Sequence, residues 1–314
     1  MPELPEVETI VLDLRKKVLL RTFIDIWTDW KKMIKRPNSF EEFRKAIIGK
    51  KIFDIRRRGK NILIDLSQDK ILLIHQKLTG HLLLGKWQFK NGNWQSLIKG
   101  FLSEDPMNRF LHLIFWLDDK RQLALSDLRK FAKVELWDKS ELENSKEFKN
   151  LGPEPLEKSF TFEKFKEVLK NKKAAKGEPR QRRGKIKQIL IDQNIIAGIG
   201  NIYSDEILWE AKINPFKETK QLSDEELKRI YRAMREILPK AIEVGGESIS
   251  DFRRISGEKG GFDPLRKVYR REGEKCQRCG TIIKRIKLAG RSAHFCPNCQ
   301  KAKRTSSSSS PSLL

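Results

Sequence analysis

The sequence predicts an α+β chain of several domains: an N-terminal β-sandwich that begins with a helix, then a helical region, then a small metal-binding ribbon. Three observations predict it. Between residues 20 and 137 lie six short runs, Asn61–Leu66, Lys70–His75, His81–Trp87, Phe110–Leu117, Gln122–Leu128 and Phe131–Trp137. They are rich in Ile, Leu, Phe and Trp and are separated by turn residues. Apolar residues recur at helical spacing before this region (Val7, Ile10, Val11, Leu14, Val18) and well after it (Leu227, Ile230, Tyr231, Met234, Leu238). Near the end, Cys276-x₂-Cys279 and Cys296-x₂-Cys299 are separated by sixteen residues.

At 314 residues the chain is long enough for more than one core. The expected division is a β-sandwich over 1–137, a connection over 138–160, a helical domain over 161–271, a ribbon over 272–301 and a disordered serine-rich tail over 302–314. A formal charge of +24 implies a polyanionic partner, nucleic acid before an anionic membrane surface. No run of about 18 apolar residues is present, so no membrane span is expected. The acidic start does not read as a signal peptide. No heptads or large apolar stripe call for a dimer, so a monomer is expected.

The first helix opens with Met1-Pro2-Glu3-Leu4-Pro5-Glu6-Val7-Glu8. Removal of Met1 makes Pro2 the N-terminus, a rigid secondary amine. An α-amino group has a reference pKa of about 8 against about 10.4 for lysine, so more of it is neutral at physiological pH. Such an amine can attack a carbonyl-like carbon and form an iminium. Glu3 lies beside it, and Glu6 follows on the same helical face, giving possible catalytic support. Taken alone, the string reads first as a helix start, with prolines in the first turn and glutamates complementing the dipole.

Further along, Arg56-Arg57-Arg58-Gly59-Lys60 reads as a basic turn between strands that could face phosphates, or as an ordinary charged loop. Asn91-Gly92-Asn93 is a hairpin turn. Residues 171–187 hold eight Lys or Arg against one Glu and read as a basic insertion. A helix over Ile186–Gln193 gives way to a glycine turn, and Asn201 opens the next helix, either as its N-cap or as a phosphate contact. Ser223-x-x-Glu226 is a capping box for the helix after that. The two CxxC pairs suit one tetrahedral zinc held by Cys276, Cys279, Cys296 and Cys299, a closed structural site, and leave out His294.

The opening string resembles the start of the formamidopyrimidine-DNA glycosylase family, and the resemblance recurs along nearly the whole chain. His75-Gln76-Lys77-Leu78-Thr79-Gly80 resembles that family's histidine-x-x-methionine-x-glycine loop. Ser126-Asp127-Leu128-Arg129-Lys130-Phe131 resembles its Asp-Pro-Arg-Arg-Phe-Gly loop, departing at Leu128, Lys130 and Ala132. The stretch Ala197–Glu206 is similar to its helix-two-turn-helix, and Gly290-Arg291-Ser292 to its finger turn. Residues 245–271 resemble the loop that closes over the flipped base, with Ser250 where members often carry Lys or Arg.

The resemblance implies a bifunctional glycosylase and abasic-site lyase acting on double-stranded DNA that contains oxidised bases or abasic sites. It assigns attack on C1′ to Pro2, proton transfer to Glu3 and lesion-strand contact in the cleft to Lys60. It also implies phosphate contact by His75 and Asn201, groove contact by Arg291, filling of the vacated stack by Leu78, pairing with the orphaned base by Arg129 and wedging by Phe131. Oxidised purines such as 8-oxoguanine are the expected substrates, since the pyrimidine-preferring endonuclease VIII branch typically has glycine in place of Leu4. A catalytically silent damaged-DNA-binding protein is the alternative from another class. The bacterial cytoplasm, at the nucleoid, is the expected location.

Overall fold

A computed structural model describes residues 1–172, 180–181, 184–248 and 252–301. Ser250, most of the basic run over 171–187 and the tail beyond 301 lie outside the described residues. The chain divides into two compact units. The first comprises 1–161, 191–200 and 235–266, and the second comprises 162–190, 201–234 and 267–314.

Among the described residues, the first unit contains two large sheets and a separate two-stranded hairpin. One large sheet has the strand order Phe23–Thr28, Leu111–Leu117, Gln122–Asp127, Gly80–Gly85, and the other Ile34–Arg36, Lys133–Asp138, Lys70–His75, Asn61–Leu66, Ile52–Arg58. Alternate side chains explain the packing, because successive residues of a strand point to opposite faces. Leu113, Phe115, Leu123 and Leu125 meet Ile62, Ile64, Leu72 and Ile74 in one core, which also takes Val7, Ile10, Val11 and Leu14 of the N-terminal helix Leu4–Val18. The intervening residues are apolar too, since both outer faces are covered. Ile114 and Ala124 pack with Trp87 and Leu102 on one side, and Leu63, Ile71 and Leu73 with Leu142 on the other. Phe252 and Ile255 join the central core, which places the 252–260 stretch with the sandwich.

Several strands escape the periodic reading, two of them because of bulges. Phe23–Thr28 and Ile52–Arg58 each carry a bulge, between Phe23 and Asp25 and between Ile52 and Asp54. In each, the aspartate carboxylate accepts the N–H of the next residue, at 2.8 Å for Asp25 and Ile26 and 2.8 Å for Asp54 and Ile55. A bulge inserts one residue and reverses the alternation midway, so the apolar pattern breaks. The Asn91-Gly92 turn joins Trp87–Lys90 to Asn93–Ser96, with φ of 53° and 78° at its two residues.

The second unit includes the helices Phe162–Lys170, Ile186–Leu190 and Asn201–Glu210 and the strand pair Lys284–Leu288 and Arg291–Phe295. The helix Asp224–Glu243 begins in it with the expected capping box: Ser223 N–H donates to Glu226 Oε2 at 2.9 Å and Glu226 N–H to Ser223 Oγ at 3.3 Å. Buried Glu206 accepts the N–H groups of Lys267, Val268 and Tyr269 at 2.7, 3.0 and 2.8 Å, fixing the entry to the ribbon. Burial pushes its carboxyl up while those three donors pull it down, and the net shift is upward. A buried ion pair joins the helices to the ribbon: Lys187 Nζ contacts Asp205 at 2.5 Å and the carbonyl of Ser292 at 2.6 Å. Asp205 also accepts the N–H of His294 at 2.9 Å and faces its Nδ1 at 3.0 Å.

Candidate active site and nucleic-acid interface

The N-terminal strand-cutting candidates sit where the first helix is clamped by glycine backbone. Pro2 and Glu3 are buried and Met1 is exposed. Glu3 Oε2 accepts the N–H of Gly200 at 2.8 Å, and Leu4 N–H donates to the carbonyl of Gly198 at 3.0 Å. Glu6 is spent twice on backbone, accepting the N–H of Glu3 at 2.7 Å and that of Glu247 at 2.8 Å. Glycine is required at this clamp by space. A Cβ on Gly200 would lie 2.3 Å from Glu3 Cδ, and one on Gly198 would lie 2.7 Å from Leu4 Cβ. Both Glu6 oxygens are thus engaged by backbone, while the Glu3 carboxylate accepts the N–H of Gly200 and, in a capping box, that of Glu6.

Lys60 is buried in the tight turn after Ile52–Arg58. That turn packs on the clamp, since a Cβ on Gly59 would lie 3.6 Å from Ala197 Cβ. The three arginines before it do not form a phosphate-facing basic turn. Arg56 pairs with Asp65 at 2.8 Å, Arg57 with Glu8 at 2.7 Å and with Glu154 at 2.5 Å, and Arg58 with Glu154 at 3.0 Å. Glu154 also accepts the N–H of Gly59 at 2.6 Å, so it holds the backbone that presents Lys60. Sequence reasoning missed Glu154. Its only local signal is the pair of flanking prolines, which reads as turn chemistry.

His75 ends its strand beside the same lysine. Its Nδ1 accepts the N–H of Lys77 at 2.9 Å, which leaves the proton of the neutral ring on Nε2. Burial, then the positive charges of Lys77, Lys133 and Lys60, lower its pKa to about 3. It is thus a neutral donor and not a cation at physiological pH.

Two loops cross between the sheets side by side, because Asp127 pairs with Gly80 and Lys133 with His75 in the strand registers. They carry the remaining first-unit candidates. Fully buried Asp127 ties them together: one oxygen accepts Thr79 Oγ1–H at 2.5 Å and Arg129 N–H at 3.2 Å, and the other accepts Ala132 N–H at 2.7 Å. Arg129 N–H also lies 3.2 Å from Thr79 Oγ1. The outer sides of the loops are apolar and exposed, with Leu78 at 41%, Leu128 at 49% and Phe131 at 53%. The Arg129 guanidinium stacks 4.8 Å from the Phe131 ring centroid. Asp127 as the common anchor was not recognised from sequence, although it heads the loop that was.

In the second unit, Asn201 begins its helix directly after Gly200, and its Oδ1 accepts no hydrogen bond among the described residues. Arg291 is exposed next to a two-residue turn, Ala289-Gly290, with φ of 47° and 80°. The four cysteines converge, each offering a sulfur within 4.8 Å of the others. Contacts of 3.9 Å between Cys276 and Cys299, 3.5 Å between Cys279 and Cys296 and 3.3 Å between Cys279 and Cys299 approach the edge of about 3.8 Å that a tetrahedron of Zn–S bonds of about 2.3 Å requires. Hydrogen bonds from Thr281 lower the Cys279 thiol to about 5, whereas burial and the neighbouring sulfurs push Cys299 up to about 12. Four thiolates this close need a cation among them, and one structural zinc fits. His294 is engaged with Asp205 and stays outside the set.

Among the described residues no helix is long and apolar enough to cross a membrane. Comparison with known proteins covers almost the whole chain. Residues 1–134 match the formamidopyrimidine-DNA glycosylase N-terminal domain, residues 151–253 the formamidopyrimidine-DNA glycosylase H2TH domain, and residues 273–302 a zinc finger found in FPG and IleRS. A formamidopyrimidine-DNA glycosylase from Pelotomaculum thermopropionicum is 39% identical over 303 residues, covering 96% of this chain and all of that protein. A variant of the Lactococcus lactis Fpg in complex with Fapy-dG containing DNA superposes with a TM-score of 0.81 at 35% identity, covering 96% of this chain and 100% of that one. The Lactococcus lactis Fpg with abasic-site DNA gives 0.80 at 35% identity and the same coverage.

Proposed function

The chain belongs to the formamidopyrimidine-DNA glycosylase family, and from that membership we propose that it excises oxidised purines from double-stranded DNA and cuts the strand at the resulting abasic site. The observation that carries this reading is the clamp of Glu3 by Gly200 N–H, which fixes a carboxylate beside the amine that Pro2 becomes once Met1 is removed.

Pro2 is the nucleophile. Its neutral secondary amine adds to C1′ of a flipped nucleotide, and the base leaves with the glycosidic electron pair. Ring opening gives an iminium, whose positive charge acidifies C2′–H, so the 3′ and then the 5′ phosphate depart by elimination. Glu3 supplies a proton to the sugar oxygen and takes protons back, a role that needs a carboxylate held in place. Lys60 supplies positive charge near the cut strand. His75 gives a neutral Nε2–H to phosphate, and Asn201 and Arg291 grip the backbone from the second unit. Leu78, Arg129 and Phe131 occupy the stack that the flipped base vacates, offsetting an unstacking cost of a few kcal/mol.

The zinc has no part in these steps. With four protein thiolates its coordination is closed, and its role is to hold the ribbon hairpin that bears Arg291. The relatives are bacterial proteins, which supports a site of action at the nucleoid in the cytoplasm. The test is strand cutting by Pro2→Gly and Glu3→Gln on a duplex carrying 8-oxoguanine. Both variants are expected to bind the duplex and not cut it; normal cutting by either would refute the assignment.

A further inference from the structure

The loop Asp127–Ala132 presents one more apolar side chain than the roles above use. Leu128 is 49% exposed, more than Leu78 at 41% and close to Phe131 at 53%. Exposure of a lone leucine is ordinary, but this one is not alone. It lies between Asp127, which is fully buried, and Arg129, whose N–H is held by both Asp127 and Thr79. Thr79 in turn follows Leu78. The backbone on either side of Leu128 is therefore fixed, and the same carboxylate that sets Leu78 and Phe131 on the edge of the sandwich sets Leu128 there as well. No apolar neighbour covers the three side chains among the described residues to the extent that would bury them.

We propose that Leu128 is a third apolar wedge, entering the base stack with Leu78 and Phe131, and that it determines how readily the protein opens a fully paired site. Proteins that unstack duplex DNA insert side chains such as Leu, Phe and Met between base steps, recovering part of the stacking that is lost. A leucine that is half exposed in the free protein loses water-facing apolar area on entering the stack, which stabilises the opened duplex. That contribution counts only where stacking must be broken. At a lesion paired with cytosine it lowers the barrier to extrusion, whereas at a site already lacking its base little stacking remains to be broken. Leu128 thus acts as a specificity-determining residue for paired against unpaired damage.

This inference rests on the glycosylase and lyase reading, and the test separates the two. Wild type, Leu128→Ala and Leu128→Met are compared on an 8-oxoguanine·cytosine duplex and on a duplex with a preformed abasic site. A 2-aminopurine beside the damaged position reports unstacking on binding. For Leu128→Ala, excision of the paired lesion and the fluorescence rise on that duplex are expected to fall about tenfold, from the apolar area no longer buried. Cutting at the abasic site is expected to stay within about twofold, because that site needs little unstacking. Leu128→Met, which keeps apolar bulk, restores the wild-type pattern. Equal losses on both duplexes, or no loss on either, would overturn the role of Leu128. Failure of the wild type to cut either duplex would instead remove the glycosylase and lyase reading, and the fluorescence would still judge whether Leu128 enters the stack.

Discussion

Glu3 Oε2 and the backbone N–H of Gly200 lie 2.8 Å apart although 197 positions separate them in the chain. A Cβ at residue 200 would sit 2.3 Å from Glu3 Cδ, so the hydrogen bond and a side chain at 200 exclude each other. Gly200→Ala is expected to push the carboxylate out of place. A displacement of about 1 Å at a catalytic group can cost about a hundredfold in rate, and a loss of that order in cutting at an abasic site is predicted. Unchanged turnover would mean that Glu3 need not be held there.

His75 gives a prediction in pH. Its folded pKa is about 3, against an ordinary value of 6.5. Between those values the unfolded chain binds the proton and the folded one does not, so stability falls as pH drops from about 6.5 toward 3. Above about 6.5 both states are neutral and the residue contributes no slope. NMR of the imidazole should show a neutral ring tautomer with the proton on Nε2 down to about pH 4, and His75→Asn should flatten the acid limb of the stability curve. A ring that titrates near its ordinary value would contradict the burial and the lysine charges that surround it.

The Lys187 and Asp205 side chains are 1% and 0% exposed and share a 2.5 Å contact. Removing one partner of a buried pair strands the other, at about 3–5 kcal/mol. Lys187→Met is therefore predicted to lower stability in denaturant by that amount, and Lys187→Met with Asp205→Leu by less than the single change. A single-variant cost below about 1 kcal/mol would show that Asp205 is satisfied by His294 and backbone alone.

The ribbon should hold one zinc per chain. Trp209, Val268 and Ile283 pack with Cys276 and Cys296, so metal loss loosens a small core as well as the hairpin. Cys296→Ala is predicted to abolish zinc in metal analysis and to weaken DNA binding. Binding by the intact protein should fall with salt at about 0.9 in log–log slope per neutralised phosphate. Full-strength binding by zinc-free protein would separate Arg291 from the grip on DNA.

What the sequence shows of this molecule depends on how far apart the partners are along the chain. The cysteine pairs, the Ser223 capping box and the Asn91-Gly92 turn are local, and each reads directly. Strands that read as short unbroken apolar runs between turn residues, such as Asn61–Leu66 and Lys70–His75, are equally plain. Phe23–Thr28 and Ile52–Arg58 were hidden by bulges whose aspartates bond the next amide. The charge of Arg56-Arg57-Arg58 was legible but its use was not, since two of its three carboxylate partners, Glu8 and Glu154, lie about 49 and 96 positions away along the chain. The same holds for Phe252 and Ile255. They look like part of a glycine-rich loop in the C-terminal half, yet they fill the core of the sandwich.

Borohydride trapping on an 8-oxoguanine duplex shows whether Pro2 becomes covalently joined to the sugar. Intact-mass analysis must first show that Met1 is gone. The expected product is a reduced protein–DNA adduct whose peptide map places the link on Pro2. Protein that lacks Met1, holds zinc and binds the duplex but yields no adduct, or yields one on a lysine, would rule out Pro2 as the nucleophile.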